Sequence, residues 1–367
     1  MDQNNEPIPS RRDPNRGKKN KIWKIILLIA VLFIAAGTAY GVKLATEVKN
    51  TADKTYVPTK KKLPVVDLSQ QKPFSVLFLG ADTGTDGRDG YRGNSDTMIL
   101  TTVDPQSKKT TMVSIPRDTA VQIIGTKEFT YQKINSAFNI GGATMAMETV
   151  EKLFNVPINY YALIDMAGLK KMVDAVGGVD VDVPFSFTST ETGNQHFTKG
   201  KMHLSGDMAL AYSRMRKEDN SGDFGRQKRQ QQVISAVVGK VISLNSLTRV
   251  QSILDAVSDS VKTNIKLGQL MTMYQNYRGA LKTIKQDSLK AKGAFITQND
   301  QQIAYVVAPT DDLQRISDQS RAALGLDKET LDNEETRQNK LQTNFDWNTD
   351  ANQYTYQFFP QTGTSNN

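Results

Sequence analysis

From Ile25 to Val42 the chain reads "IILLIAVLFIAAGTAYGV", eighteen residues without a charge. At about 1.5 Å per residue, a helix of this length spans roughly 27 Å, close to the bilayer hydrocarbon core of about 30 Å. This run constrains the architecture more than any other, because it predicts a chain divided by a membrane. Trp23 and Tyr40 stand where interfacial aromatics would, and Lys24 can extend its stem toward the headgroups. Seven basic residues up to Lys24 outnumber three acidic ones. The positive-inside rule therefore keeps residues 1–21 cytoplasmic and sends everything beyond a single 22–42 span outside the cell. The run exceeds a signal-peptide core of about 7–15 residues and no A-x-A site follows it, so it is expected to persist as an anchor.

The same tail supplies half of the net charge of +8, which weakens the nucleic-acid reading that a basic chain invites. Residues 1–21 hold no recognition helix, so no nucleic-acid partner is expected. Cysteine is absent and His196 and His203 are the only histidines. Thiolate nucleophiles and sulfur-ligated zinc are therefore excluded, and no GxSxG, HExxH, P-loop or kinase signature occurs. Chemistry in this chain must lean on carboxylates, arginines and a hard cation.

Residues 43–72 are polar, contain Pro58 and Pro64 and lack periodicity, which reads as an extracytoplasmic stalk. Beyond it, "FSVLFLG", "DTMILTTV" and "TTMVSIP" are short runs of strand formers. "GGATMAMETVEKLFN" has helical spacing, "NYYALI" returns to strand, and "DMAGLKKMVDAVGG" reads as a helix capped by Asp165. "GDMALAY", "RQKRQQQVISAVVGKVISL" and "LGQLMTMYQNY" read as further helices. The alternation predicts an α/β domain over residues 73–290, with helices covering a mixed sheet. Residues 291–330 add a strand, "QQIAYVVA", and a helix. Few aliphatics among many Asn, Gln and Thr predict a disordered tail over 331–367.

Four polar segments fall where strands end, the usual place for ligands in α/β proteins. "GADTGTDGRDGYRGNSDT" sets Asp82 and Asp96 at the two mouths of one glycine-rich loop, and paired carboxylates there suit magnesium, or manganese, shared with phosphates. "SIPRDT" launches Arg117 immediately after Pro116, with a surface ion pair to Asp118 or another acid as the plainer reading. "YSRMRK" carries Arg214 and Arg216, which converge only if the preceding helix stops near Tyr212. In "GDFGRQKRQQQ", a helix starting near Gly225 sets Arg226, Arg229 and Gln230 on one face of its first turns, an anion site beside free helix amides. Val233, Ile234, Val237 and Val238 continue that helix as an apolar stripe that reads as core. Two acids and several arginines together match a magnesium-bound pyrophosphate, and outside the cell the abundant pyrophosphates are those of lipid carriers.

In their order, "FLGAD", "NSDTMIL", "VSIPRDT", "KINSAF", "YSRMRK" and "GDFGRQKRQQQ" resemble the LytR-CpsA-Psr family of cell-wall enzymes over roughly residues 73–245. The resemblance implies a three-layer α-β-α domain preceded by one transmembrane helix. It implies a phosphotransferase that moves an anionic glycopolymer, wall teichoic acid or capsular polysaccharide, from an undecaprenyl-pyrophosphate carrier to peptidoglycan. By motif, Asp82 and Asp96 are implied as magnesium ligands, with either one accepting the proton of the attacking hydroxyl. Arg117, Arg214, Arg216, Arg226 and Gln230 are implied as pyrophosphate contacts. Many members carry arginine two positions before the aspartate of the "SDT" motif; this chain has Asn94 there, with Arg92 further back as the candidate. An apolar tunnel for the lipid tail is also implied. The rivals are a polyprenyl-pyrophosphate hydrolase and a non-catalytic regulator, or transcriptional attenuator, that binds lipid intermediates.

Overall fold

A computed structural model describes residues 55–359, apart from 61–63, 65, 82–92, 190–192, 217, 244–252, 254–255, 299 and 348–354. The expected span at 22–42 lies outside these residues, as do Asp82 and Arg92. No helix among the described residues is long and apolar enough to cross a membrane.

Six strands make the central sheet: β1 (Phe74–Ala81), β2 (Ser95–Asp104), β3 (Lys109–Ile115), β6 (Tyr160–Asp165), β11 (Val261–Thr263) and β12 (Ile284–Ser288). Their order is β11-β6-β1-β2-β3-β12. β1 runs parallel to β6 and β3 parallel to β12, and the other neighbours are antiparallel, so the sheet is mixed as expected. Small hairpins flank it: β4 (Ala120–Gln122) with β5 (Tyr131–Lys133), β8 (Phe187–Ser189) with β9 (Gln195–Phe197), and β13 (Lys292–Gln298) with β14 (Gln301–Val307). β7 (Val179–Val183) pairs with β10 (Gly200–Leu204).

Alternation of side chains across each strand assigns the helices to two faces. Leu77, Leu79, Met98, Leu100, Val113 and Ile115 form one core with residues of α1 (Ser136–Phe154) and α6 (Thr310–Ala323). On the opposite face Phe74, Val76, Val103 and Tyr160 meet Met273 of α5 (Leu267–Asn276) and Tyr277 beyond it. The same face carries α4 (Gly222–Ser243), where Gln231 Nε2 donates to the carbonyls of Met112 and Asp287 at 3.2 and 2.7 Å. A further core joins α2 (Met166–Ala175), α3 (Gly206–Arg214) and α4 to β7 and β10 through Val173, Val181, Tyr212, Val233 and Val237. Helix α2 starts where the Asp165 carboxylate accepts the Gly168 amide at 2.6 Å, as its sequence predicts.

The described residues beyond 330 depart from the expected disorder. Residues Glu334–Leu341 form α7, and Phe345 and Tyr356 join a core with Ala294, Ile296, Tyr305 and Val307. Composition misleads here because amides do the binding that aliphatics usually do. The fully buried Gln338 donates to Glu334 Oε1 and to the Phe359 carbonyl, each at 2.7 Å, and accepts the Phe359 amide at 3.0 Å. The buried Gln338 amide thus has partners for both its nitrogen and its oxygen, which removes the penalty of burying it. This C-terminal part also supports the turn after β3. The Val306 amide donates to the Asp118 carbonyl at 2.9 Å, and Glu335 Oε1 accepts the Gln122 amide at 2.8 Å.

Candidate active site

β2 and β3 pair with Met98 opposite Ile115, so the same register continued by two residues sets Asp96 across from Arg117. Pro116 ends β3, and the Thr119 amide and hydroxyl both donate to its carbonyl, at 3.0 and 2.6 Å. From this turn Arg117 NH1 donates to Asp96 Oδ1 at 2.5 Å. Asp118 lies 3.7 Å from Arg117 Nε and takes its closer ion pair, 2.9 Å, from Lys133 Nζ, which also sits 5.5 Å over the Tyr305 ring. The ion pair that the plainer reading expected is thus present, with another acid, Asp96, as the nearer partner and Asp118 as the farther one.

The second wall is the start of α4. The Ser221 amide donates to Asp219 Oδ1 at 2.8 Å, Gly222 takes a left-handed φ of 53°, and the helix begins there, three residues before the position its spacing suggests. Gly225 is required because a Cβ would come within 1.7 Å of Asp219 Oδ2. Arg229 does not share the face of Arg226 and Gln230. Its side chain is 2% exposed, pairs with Asp219, and donates from Nε to the Tyr212 carbonyl and from NH2 to the Met215 carbonyl, at 3.0 and 2.5 Å. Those carbonyls are left open where α3 stops, and an inward-facing guanidinium fork satisfies them. Helix α3 runs to Arg214 rather than stopping near Tyr212. Arg214 is exposed as its last residue, and Arg216 follows the extended Met215.

Arg226 is 6% exposed. Its NH2 lies 2.5 Å from Asp223 Oδ1, but the two are not aligned to bond, and Nε also lacks a partner among the described residues. Burial holds this guanidinium below the ordinary arginine pKa; Asp223 and Asp96 oppose the shift, whereas Arg117 and Arg216 reinforce it. Burial pulls Arg117 down as well, but its bond to Asp96 and the charges of Asp118 and Asp223 outweigh that and raise it. These mutual fields gather Asp96, Arg117, Arg216, Asp223 and Arg226 into one site. Asp223 was missed in the sequence; its spacing of three from Arg226 is the signal that could have found it.

Gln230 Nε2 reaches the Ser213 carbonyl at 3.5 Å, and its buried Oε1 has no partner among the described residues. Gln230, Ser213 and Thr97 border a cavity of about 50 Å³ whose apolar wall includes Phe78, Ile164, Leu169 and Ile234. Val233 and Val237 of the predicted stripe are core, whereas Ile234 faces this cavity. For a metal, Asp96 Oδ2 accepts no bond from any described residue, and a carboxylate oxygen suits a hard cation. No group of three candidate ligands occurs among the described residues.

The LytR_cpsA_psr family profile matches residues 40–322. A polyisoprenyl-teichoic acid–peptidoglycan teichoic acid transferase TagU of Enterococcus faecalis is 47% identical over 278 residues, covering 75% of this chain and 89% of the relative. A TagU of Bacillus mycoides is 39% identical over 315 residues, covering 84% of this chain and 100% of its own. Among solved structures, protein gbs0355 of Streptococcus agalactiae superposes with a TM-score of 0.67 at 34% identity, covering 74% of this chain and 94% of that one. A structure of TagT bound to LIIa-WTA superposes with a TM-score of 0.59 at 28% identity, covering 74% and 97%. A match over residues 40–322, which hold the sheet and the arginine-bearing segments, with relatives aligned over nearly their whole length, places this chain in the LytR_cpsA_psr family.

Proposed function

We infer that this protein transfers a teichoic acid from a polyprenyl-pyrophosphate carrier to peptidoglycan, from a position anchored in the cell membrane by residues 22–42. The observation that carries the reading is Arg226, a nearly buried cation with unbonded donors, set beside Arg117 and Arg216. Such donors are costly when unsatisfied and strongly favourable when they meet a doubly charged diphosphate. The names of the relatives supply the polymer and the acceptor.

In this reading Arg117, Arg216 and Arg226 grip the diphosphate, with Arg214 and Arg92 as outer contacts, and Gln230 stands where the diphosphate meets the lipid. The isoprenoid enters beside Phe78, Leu169 and Ile234, where the existing 50 Å³ must widen to hold it. An acceptor hydroxyl oxygen attacks the glycan-bearing phosphorus, the P–O bond to polyprenyl phosphate breaks, and the hydroxyl proton passes to a carboxylate, either Asp96 or Asp82. Asp96, through Oδ2, and Asp82 would hold magnesium or manganese, which when bound supplies neutralisation of the diphosphate charge. Arg117, donating to Oδ1, orients Asp96.

The test is release of polyprenyl phosphate from a lipid-linked teichoic acid by purified full-length protein. Release should depend on peptidoglycan acceptor, and Arg117→Ala should lower it by roughly 10²–10³-fold. Release at the same rate without acceptor would identify a hydrolase instead. Anchoring is checked by carbonate extraction of membranes, from which the protein should not be removed.

A further inference from the structure

Between residues 341–345 and 355–359 lies a cleft of about 470 Å³, within the range of roughly 300–1,000 Å³ usual for small-molecule sites. Ten of its eleven lining residues lie beyond residue 322, where the family match ends. None of the eleven is charged, although 23% of the chain is. Asn344 and Gln357 are exposed on its walls, and their side-chain amides bond to no described residue. Leu341, 40% exposed, and the half-buried Phe359 add apolar surface.

This combination selects among ligands. An anionic polymer would find no cation among the described residues that line the cleft, since Arg337, which reaches the Phe359 carbonyl, is paired with Glu334, and an isoprenoid would strip water from the amides without replacing their bonds. A neutral saccharide fits both surfaces. Its hydroxyl and acetamido groups match side-chain amides, which donate and accept at once, and the C–H faces of its rings can cover aromatic surface. We propose that this cleft binds a neutral saccharide of the N-acetylhexosamine class.

Its position joins it to the transfer site. Phe358, on the cleft wall, stacks on Tyr131 of β5 at 4.8 Å and on Phe129, which is 45% exposed, at 5.9 Å. Lys133, at the other end of β5, pairs with Asp118 beside Arg117. Four residues of extended chain, roughly 13 Å, separate Phe129 from Lys133. That the saccharide is the acceptor's own glycan strand rests on the transfer reading; the binding does not.

Trp347 lies 4.6 Å edge-on from Phe345, a cleft residue, and Trp23 is the only other tryptophan. Fluorescence of a full-length Trp23→Phe protein therefore reports Trp347 alone. Titration with chitotetraose should change its emission saturably, whereas a glycerol phosphate oligomer of equal length should not. Adding Asn344→Ala and Gln357→Ala, both at exposed positions, should weaken the saccharide about tenfold with an unchanged melting temperature. Arg117→Ala should bind it as the parent does. The cleft proposal is overturned by an absent saturable response, by equal affinity in the double variant, or by displacement of chitotetraose with glycerol phosphate. Saturation in a protein that shows no transfer removes the transfer reading and leaves the cleft.

Discussion

Arg226 is a cation kept from water, with one acid close but misaligned and two further arginines acting on the same charge. An apolar side chain of similar length should suit that place better in the absence of the proposed diphosphate. Arg226→Met is therefore expected to raise stability, by an amount on the order of 1 kcal/mol, while lowering transfer by roughly 10²-fold. Thermal unfolding and polyprenyl phosphate release measured on one preparation check this; a fall in both would show that Arg226 is structural. Arg117 and Arg226 were legible because a proline and a helix start fix where each is launched. Arg229 was not, since its destination depends on carbonyls that α3 leaves open, and spacing along α4 carries no information about α3.

At the scale of elements, α3 and α4 are held together by one buried fork. Arg229 ties Tyr212 and Met215, on either side of Arg214, to Asp219, and Gly225 allows that acid to approach the helix. Removing one partner strands the other, so Arg229→Ala should cost about 3–5 kcal/mol in denaturant unfolding. A loss below 1 kcal/mol would show the fork to be dispensable. Strands β1 to β3 could be read from sequence because they are buried on both faces and written as near-continuous apolar runs. Helix α7 could not, because its buried face is Glu334, Glu335, Thr336 and Gln338, residues that ordinarily mark solvent. Only its N-terminus, where the Asn333 side chain accepts the Thr336 amide at 2.9 Å, follows a familiar signal.

For the whole molecule, the C-terminal part is a buttress with a titratable contact. Burial, with Glu334 adding to it, lifts the Glu335 carboxyl to about 7, against the bond from the Gln122 amide. The folded state therefore keeps a proton that the unfolded chain releases near 4.5. This contribution is complete below about 4.5 and is lost as pH rises through 7. Glu335→Gln should consequently be more stable than the parent at pH 8, by an amount on the order of 1–3 kcal/mol, with the difference vanishing toward pH 5. Unfolding free energies across that range decide it, and a gap that does not change with pH would refute it. The bridge from Thr119 to Val306 has a consequence in time. Synthesis delivers residue 119 long before 306 and 335, so a chain interrupted between 230 and 306 would carry Asp96, Arg117, Arg226 and Gln230 with the turn after β3 unbraced. The turn that carries Arg117 therefore gains its brace only once the C-terminal part has been made.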